Sequence, residues 1–333
     1  MSSPETASSS DRSIASPEAR RRRRGLLVLA AAVSIGLLVS LLWRVEWTKL
    51  KDAVLNAKWS YLIAALGIHH GTVFLQSWRW HLLMRNHSET TPLRRVHRIN
   101  FSSVFFDLFT PGKLGSDGYR FVSIGGDRHY VIGSLVAVRL QGLVVTVAMA
   151  ATMTAIYVAS WRIPIVLIST VAVIVVIGIG PSTGGTLAQW LRRLEGGTSP
   201  IAKGAGHVLT VASRVRTIIR GRGTLAASSL LAIAFVLAHG LTFAIVGKAF
   251  EVNVSFGRFL WISSLVLIAA GLPIVIHGRG LAEAIVVWAL VGPGVHAEAA
   301  LVTSLGKYAI TLGHGLAAGA FLASRKLITT RHR

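Results

Sequence analysis

The stretch FFDLFTPGKLGSDGYRF, residues 105–121, decides how the rest of the chain is interpreted, because it sets helix-breaking and charged residues inside an apolar region. Pro111 and Gly112 interrupt it, and charged side chains follow at Lys113, Asp117 and Arg120. Irregular backbone at membrane depth is tolerated only where it is buried in protein or lines a hydrated cavity. The stretch therefore predicts a re-entrant hairpin, whose second arm starts near Gly115. A cytoplasmic loop after a short helix is the alternative.

The composition is that of a protein with several membrane spans. Of its 333 residues, 52% are hydrophobic and 14% are charged, and the mean hydropathy is +0.59. The chain contains no cysteine, which excludes disulfides, zinc–thiolate sites and thiol nucleophiles. The formal charge is +22, and the basic residues that produce it cluster on one side of the predicted membrane topology. Because membrane orientation accounts for this charge, we expect no nucleic-acid partner.

The hydropathy pattern predicts an all-α, polytopic membrane helix bundle with six to eight spanning helices. Residues 1–24 form an expected disordered basic tail, 25–324 a single transmembrane domain, and 325–333 a second basic tail. Basic clusters fall on one side, which places both termini in the cytoplasm of a cell whose plasma or inner membrane holds the protein. Expected apolar segments are 25–43, 60–83, 131–157, 163–180, 225–247, 259–276 and 299–323. Residues 259–293 either cross twice or re-enter.

The basic loop at 181–224 contains apolar residues at helical spacing, for example in HVLTVASRVRTIIR. Basic amphipathic helices fit the cytoplasmic surface of a membrane, where anionic headgroups attract them. An equally good interpretation is a connector that packs its apolar stripe against the bundle.

A second stretch, AGLPIVIHGRGLAEAIVVWAL at 270–290, repeats the design of the first. It is broken at Pro273, Gly278 and Gly280, and a carboxylate, Glu283, starts the next apolar arm. Paired interrupted segments in two halves are typical of transporters built from repeats. The two hairpins could therefore be inverted repeats, and chance similarity between Gly-rich breaks is an equal alternative.

Each hairpin is followed by an apolar segment with one basic residue inside it. Arg139 lies 22 residues after Asp117, and Lys307 lies 24 residues after Glu283. Ionisable groups in apolar segments are costly unless paired or hydrated, so each is a functional candidate. A guanidinium fork matches phosphate, which makes Arg139 a candidate to hold a lipid phosphate. A structural salt bridge to Asp117 or Glu283 is the alternative.

The remaining charged residues near the breaks have similar alternatives. Arg120 and Lys113 could receive a headgroup with help from helix N-termini, or anchor the chain at the interface. Asp117 and Glu283 most simply neutralise these bases. Lys307 is expected to act as Arg139 does, and Asp107 to cap its arm or pair with Lys113.

Other polar residues give no catalytic or metal signal. The histidines have no metal-ligand spacing, so we expect packing roles and no metal site; those considered are His69, His70, His239, His277 and His314. The pair Arg79–Trp80 is expected to anchor a helix end at the interface. No Walker loop, nucleophile elbow or triad occurs, so we expect no catalytic residue and no cofactor.

At these residues the chain resembles a flippase-like family that includes the transmembrane region of lysylphosphatidylglycerol synthases. FFDLFTPGKLGSDGYRF with VAVRLQGL resembles the family's first signature, LPIVIHGRGLAEA its second, and QSWRWHLLM its Arg-Trp helix ending. The resemblance covers about residues 25–324, but Ala282 stands where the family usually has Arg. The soluble aminoacyl-transferase domain of the full synthases has no counterpart in this sequence.

The resemblance implies a lipid flippase, with residues 117, 139, 283 and 307 lining a mid-membrane cavity. It would move an anionic or aminoacylated phospholipid, or a lipid-linked precursor such as a polyprenyl-phosphate lipid, between leaflets. Expected partners are membrane lipids and, if its role is to help, a separate lipid-modifying enzyme. Two rival hypotheses are an intramembrane lipid-modifying enzyme and a scaffold that docks through the basic loop.

Overall fold

The structure, a computed structural model, describes residues 47–85, 91–110, 113–158, 200–219, 221–271 and 280–331. These residues form helices and no strands, which confirms the all-α fold within the described ranges. The helices are α1 (Trp47–Leu55), α2 (Trp59–Met84), α3 (Leu93–Asp107), α4 (Leu114–Ile124), α5 (Arg128–Tyr157), α6 (Pro200–Ile219), α7 (Arg222–Ala249), α8 (Phe256–Gly271), α9 (Leu281–Val291) and α10 (Ala297–Arg331).

Two of the described helices are long and apolar enough to cross a membrane, namely α5 and α7. These helices have 30 and 28 residues, more than the roughly 20 that a bilayer core requires. The predicted segments at 25–43 and 163–180 lie outside the described residues, so the six to eight spans stay a prediction.

At each predicted hairpin, the helices before and after the break pack against each other. In the first, Phe106 of α3 stacks on Tyr119 of α4 with ring centroids 4.8 Å apart. In the second, the guanidinium of Arg258 on α8 donates to the carbonyl of Ala289 on α9 at 3.0 Å. The breaks at Pro111, Gly112, Pro273 and Gly278 lie outside the described residues. The depth of each hairpin in a membrane, and its relation to a repeat, stay predictions.

Three apolar clusters of buried residues occur in the described bundle, and the two larger ones join most of its helices. The first joins α2, α3, α5 and α6 through residues such as Trp80, Val96 and Val138. The second joins α7, α8 and α9 with the start of α10, around Phe259 and Leu290. Helix α7 packs along α2 and so connects the two halves of the described bundle.

Close helix approach in the second cluster depends on a glycine. A Cβ at Gly247 of α7 would overlap the ring of Phe259 on α8. Small residues let helices approach closely in membranes, where packing rather than hydrophobic burial drives association.

Helix α6 belongs to the predicted basic loop, and its apolar stripe packs against α5. Val215 and Ile218 are buried in the first cluster, whereas Val208 remains exposed. The described part of the loop therefore behaves as the packed connector of the second interpretation. The preceding amphipathic stretch, TLAQWLRRL, lies outside the described residues.

Candidate functional site

A cavity of about 280 Å³ with several charged residues on its wall lies between α2, α4, α5, α7 and α8. We name it the arginine cavity. Apolar side chains such as Phe235 of α7 and Leu267 of α8 form one wall, and charged groups form the other. The charged residues on its wall, among those that the structure describes, are Arg79, Lys113, Arg120, Arg139 and Asp117. Four positive groups thus face one carboxylate.

Asp117 links the two predicted arginines. Its Oδ2 lies 2.6 Å from Nε of Arg139, and its Oδ1 accepts from Nη1 of Arg120 at 3.2 Å. The two arginines differ in burial: the side chain of Arg120 is 7% exposed and that of Arg139 is 42% exposed. Asp117 therefore pairs with both arginines and neutralises one of their two charges, and the salt bridge to Arg139 that the sequence offered as an alternative is present.

Arg120 is held from further sides. Its Nε donates to Oγ of Ser103 on α3 at 3.1 Å. Its guanidinium carbon lies 5.9 Å from the ring centroid of Trp80, within the range of a cation–π contact. Arg120 is therefore a buried, positioned cation rather than a flexible interfacial anchor.

The turn between α3 and α4 brings these groups to the cavity. Lys113 has φ of 62°, in the left-handed region that side chains rarely adopt. Its carbonyl accepts a hydrogen bond from Nη2 of Arg139 at 3.1 Å. A Cβ at Gly115 would lie 2.5 Å from Oγ1 of Thr110 and 2.8 Å from the carbonyl of Phe106, so this position requires glycine.

The start of α4 is already capped by protein groups. The N–H of Gly115 donates to Oγ1 of Thr110 at 2.9 Å, and that of Ser116 donates to Oδ1 of Asp107 at 3.3 Å. Asp107 therefore caps the second arm of the hairpin rather than its own helix. Because these two backbone N–H groups already donate to protein oxygens, a ligand in the cavity would bind to the charged side chains and not to these groups.

Sequence reasoning missed Arg79. It was expected at the interface, but it is 3% exposed and lines the cavity. Its Nη2 donates to the carbonyl of Val138 at 3.1 Å and to Oε1 of Gln141 at 3.4 Å. Its Nε has no hydrogen-bond partner among the described residues. An arginine near a helix end is usually an anchor, and only the packing of α5 against α2 reveals its burial.

Gln141 ties this arginine to α7. Its Nε2 donates to Oγ of Ser229 at 2.9 Å and to the carbonyl of Leu225 at 3.2 Å. Its Oε1 accepts from the hydroxyl of Ser228. The side chain therefore joins α2, α5 and α7 at the edge of the cavity.

The first turn of α5, the helix that carries Arg139, is fixed by Asp127. Its Oδ1 accepts from the N–H groups of His129 at 2.9 Å and Tyr130 at 3.4 Å, and Oδ2 pairs with Arg214 at 3.2 Å. Partial burial acts to raise the pKa of this carboxyl, but the two backbone hydrogen bonds and the charge of Arg214 lower it below its ordinary value.

A second cavity of about 170 Å³ lies beside the first. We name it the lysine cavity. Its wall carries Lys113, Lys307, Asp107, Glu283, His69 and His239. Positive and negative formal charges of the lysines and carboxylates balance here, in contrast to the arginine cavity.

Glu283 and Lys307 have local partners in the lysine cavity. Oε2 of Glu283 accepts from the N–H of Gly280 at 2.6 Å, so the carboxylate caps its own helix. Lys307 is 6% exposed, and its Nζ donates to Oγ1 of Thr311 at 3.0 Å. The sequence predicted both residues as functional side chains. In the structure each is buried and hydrogen-bonds to a residue three or four positions away in its own helix or helix cap.

The structure divides the predicted site between the two cavities. Arg139, Asp117 and Arg120 line the first, and Glu283 and Lys307 line the second. The two cavities adjoin, and Gln76, Lys113, Phe235 and Leu267 lie on the walls of both. The single mid-membrane cavity expected from the sequence stays a prediction.

Comparison with known proteins agrees with this architecture. No curated protein matches the chain. A family model described as the lysylphosphatidylglycerol synthase TM region matches residues 27–319, a span that contains both hairpins and both cavities. The match covers most of the chain and confirms the resemblance drawn from the two Gly-rich signatures. The chain belongs to the family of the lysylphosphatidylglycerol synthase transmembrane region.

Proposed function

We propose that this protein moves an anionic phospholipid between the leaflets of a membrane and holds the lipid phosphate in the arginine cavity. The observation that carries the proposal is the charge of that cavity, where four basic side chains face the single carboxylate of Asp117 among the described residues. The family, a transmembrane region related to lipid modification or flipping, supports a lipid substrate.

The cavity has a surplus of positive charge that an anion would neutralise. Buried cations are costly unless an opposite charge or water compensates them. Arginine presents several N–H donors in a plane, which fits the oxygens of a phosphate. Arg79 adds a buried Nε without a partner among the described residues. A phosphate is therefore the ligand that best complements this wall.

The two arginines paired with Asp117 suit different roles. Arg120 is held by Ser103 and by the face of Trp80, so it keeps its position when a ligand arrives. Arg139 is more exposed and can exchange Asp117 for a phosphate oxygen without uncovering a buried charge. We infer that Arg139 binds and releases the headgroup, while Arg120 continues to neutralise the negative charge of Asp117.

The direct test is mass spectrometry of the lipids that co-purify with the wild-type protein and with Arg139→Leu. The matched control is Arg214→Leu, because Arg214 also pairs with an aspartate, at 3.2 Å, and its side chain is 46% exposed. That pair lies outside the wall of both cavities. Each sample is normalised to the lipid composition of the membrane from which it came.

We expect one phosphate-bearing lipid to be enriched with the wild type and with Arg214→Leu, and lost with Arg139→Leu. Such a lipid then goes into a leaflet-transfer assay in reconstituted vesicles. Bulk membrane lipid in all three samples would remove Arg139 as the headgroup ligand and favour the scaffold hypothesis. Enrichment without transfer, accompanied by chemical change of the lipid, would favour an intramembrane enzyme.

A further inference from the structure

Four histidines from three separate stretches of the sequence lie next to one another in the structure. Measured between ring centroids, His69 lies 5.1 Å from His314, His314 lies 5.3 Å from His70, and His70 lies 5.6 Å from His97. The row joins α2, α10 and α3. We name these residues the histidine row.

This spacing is compatible with hydrogen bonds between neighbouring rings. Elsewhere in the same structure, His129 and His207 have ring centroids 5.5 Å apart, and their ring nitrogens lie 3.2 Å apart in a hydrogen bond. Imidazole rings rotate about χ2 over a broad range. Rotation, or one bridging water, would therefore connect each pair in the row.

The inner end of the row opens into the lysine cavity. His69 is 8% exposed and lines that cavity opposite His239, which is equally buried. Nδ1 of each ring, and Nε2 of His314, have no hydrogen-bond partner among the described residues. Buried ring nitrogens without partners are costly, so the row is arranged for something other than packing alone.

The outer end of the row reaches the basic end of α3. His97 is half-buried, and Arg94, Arg95 and Arg98 around it on this helix are exposed. Nδ1 of His97 lies 3.0 Å from the hydroxyl of Ser77, which leaves its other nitrogen for exchange. The row thus connects an interior cavity with an exposed, basic surface.

Several charged and titratable groups face the row. Lys307 and His239 act electrostatically on His69, Lys307 also acts on His314, and Lys113 acts on His239. Across the lysine cavity the remaining groups are Asp107, Glu283 and Tyr308. Among the described residues no group of three or more histidines and carboxylates is arranged to hold a metal ion.

We propose that the histidine row carries protons between the basic end of α3 and the lysine cavity, and that this transfer is coupled to lipid movement. The coupling rests on the proposed function. Chains of histidines are known proton relays in membrane transporters, since imidazole both accepts and donates a proton. At each step an N–H bond breaks on one ring and forms on the next, and the donor ring returns to its neutral state. The proton passes from His97 to His69 and then to the amine of Lys307, or in the reverse order.

The test uses the full-length protein in phosphatidylcholine vesicles that contain fluorescent phosphatidylglycerol and a pH-sensitive dye in the lumen. Dithionite quenching measures leaflet transfer, and the dye measures proton flux, each with and without an imposed pH gradient. The variants are His314→Gln at the centre of the row and His97→Gln at its half-buried end, where folding is least at risk. His207→Gln is the control, because it belongs to a histidine pair outside the row.

We expect the wild type and His207→Gln to show proton flux and a lipid transfer that the gradient accelerates. Both row variants should lose the flux and the acceleration, and should keep the transfer seen without a gradient. Proton flux that is absent from the wild type, or equal in the row variants, would overturn the relay. Lipid transfer at the same rate with and without the pH gradient would agree with the proposed function but would overturn the coupling. Flux that depends on His314 without any lipid transfer would support the relay and overturn the proposed function.

Discussion

Removing the carboxylate of Asp117 should destabilise the protein far more than removing Arg139, although both changes break the same 2.6 Å ion pair. In Asp117→Asn, Arg120 loses its carboxylate while its side chain remains 7% exposed. Leaving a buried charge unpaired costs roughly 3–5 kcal/mol. In Arg139→Leu, Asp117 keeps Arg120, and the lost pair is 42% exposed on the arginine side. Such a pair contributes about 0–1 kcal/mol.

The assay is equilibrium unfolding of both variants in detergent by a titrated denaturant, followed by circular dichroism. A third variant, Asp117→Asn combined with Arg120→Met, tests the cause. Removing the unpaired charge should restore part of the lost stability, so the double variant should be more stable than Asp117→Asn alone. Equal destabilisation by Asp117→Asn and Arg139→Leu, or no recovery in the double variant, would refute the assignment of Arg120 as the buried cation.

Three further changes have defined outcomes. Gly247→Ala places a Cβ against an aromatic ring of α8 and should lower the free energy of unfolding by about 1–3 kcal/mol. The control is Gly223→Ala on the same helix, where the added Cβ enters open space, and it should leave the free energy of unfolding unchanged. Gln141→Leu should lower the free energy of unfolding by about 2 kcal/mol, at roughly 0.6 kcal/mol for each lost interhelical hydrogen bond. It should also reduce the amount of co-purifying lipid, because Arg79 loses a hydrogen-bond partner. An unchanged amount of lipid would contradict the link between Gln141 and lipid binding. Asp127→Ala should cost about 1 kcal/mol at pH 7 through the lost helix cap. Since the pKa of Asp127 is lowered on folding, its contribution is fully present above about pH 4 and is lost as the pH falls through the lower folded value. The difference in thermal unfolding between the variant and the wild type should therefore narrow progressively as the pH is lowered below about 4.

The helices and the breaks could be predicted from local sequence, because apolar length and Pro-Gly interruptions act over a few residues. A salt bridge from Arg139 to Asp117 or Glu283 was one of two alternatives for Arg139, since an ionisable group in an apolar segment needs a partner, and the structure contains the pair with Asp117. The two cavities were not predicted. Lys113 lies on the wall of both cavities, and its carbonyl accepts hydrogen bonds from Arg139 and Ser116, contacts that the sequence does not reveal.

The histidine row shows why other features escape sequence reasoning. His70 and His314 are 244 positions apart in the chain, and no periodicity links them. They meet because α10 packs against α2 and α3. Arg79 was misplaced for a similar reason, since its burial comes from a neighbouring helix rather than from the segment that contains it.

The position of Lys113 on the wall of both cavities has a thermodynamic consequence. Coupling between two binding sites is reciprocal. If an anion in one cavity binds this ammonium, it lowers the affinity of the other cavity for an anion, and an anion in the second cavity lowers the affinity of the first by the same factor. Two anions therefore compete for a shared counterion even though they never touch. If the protein moves lipids as proposed, this competition disfavours simultaneous occupancy of the two cavities by anions.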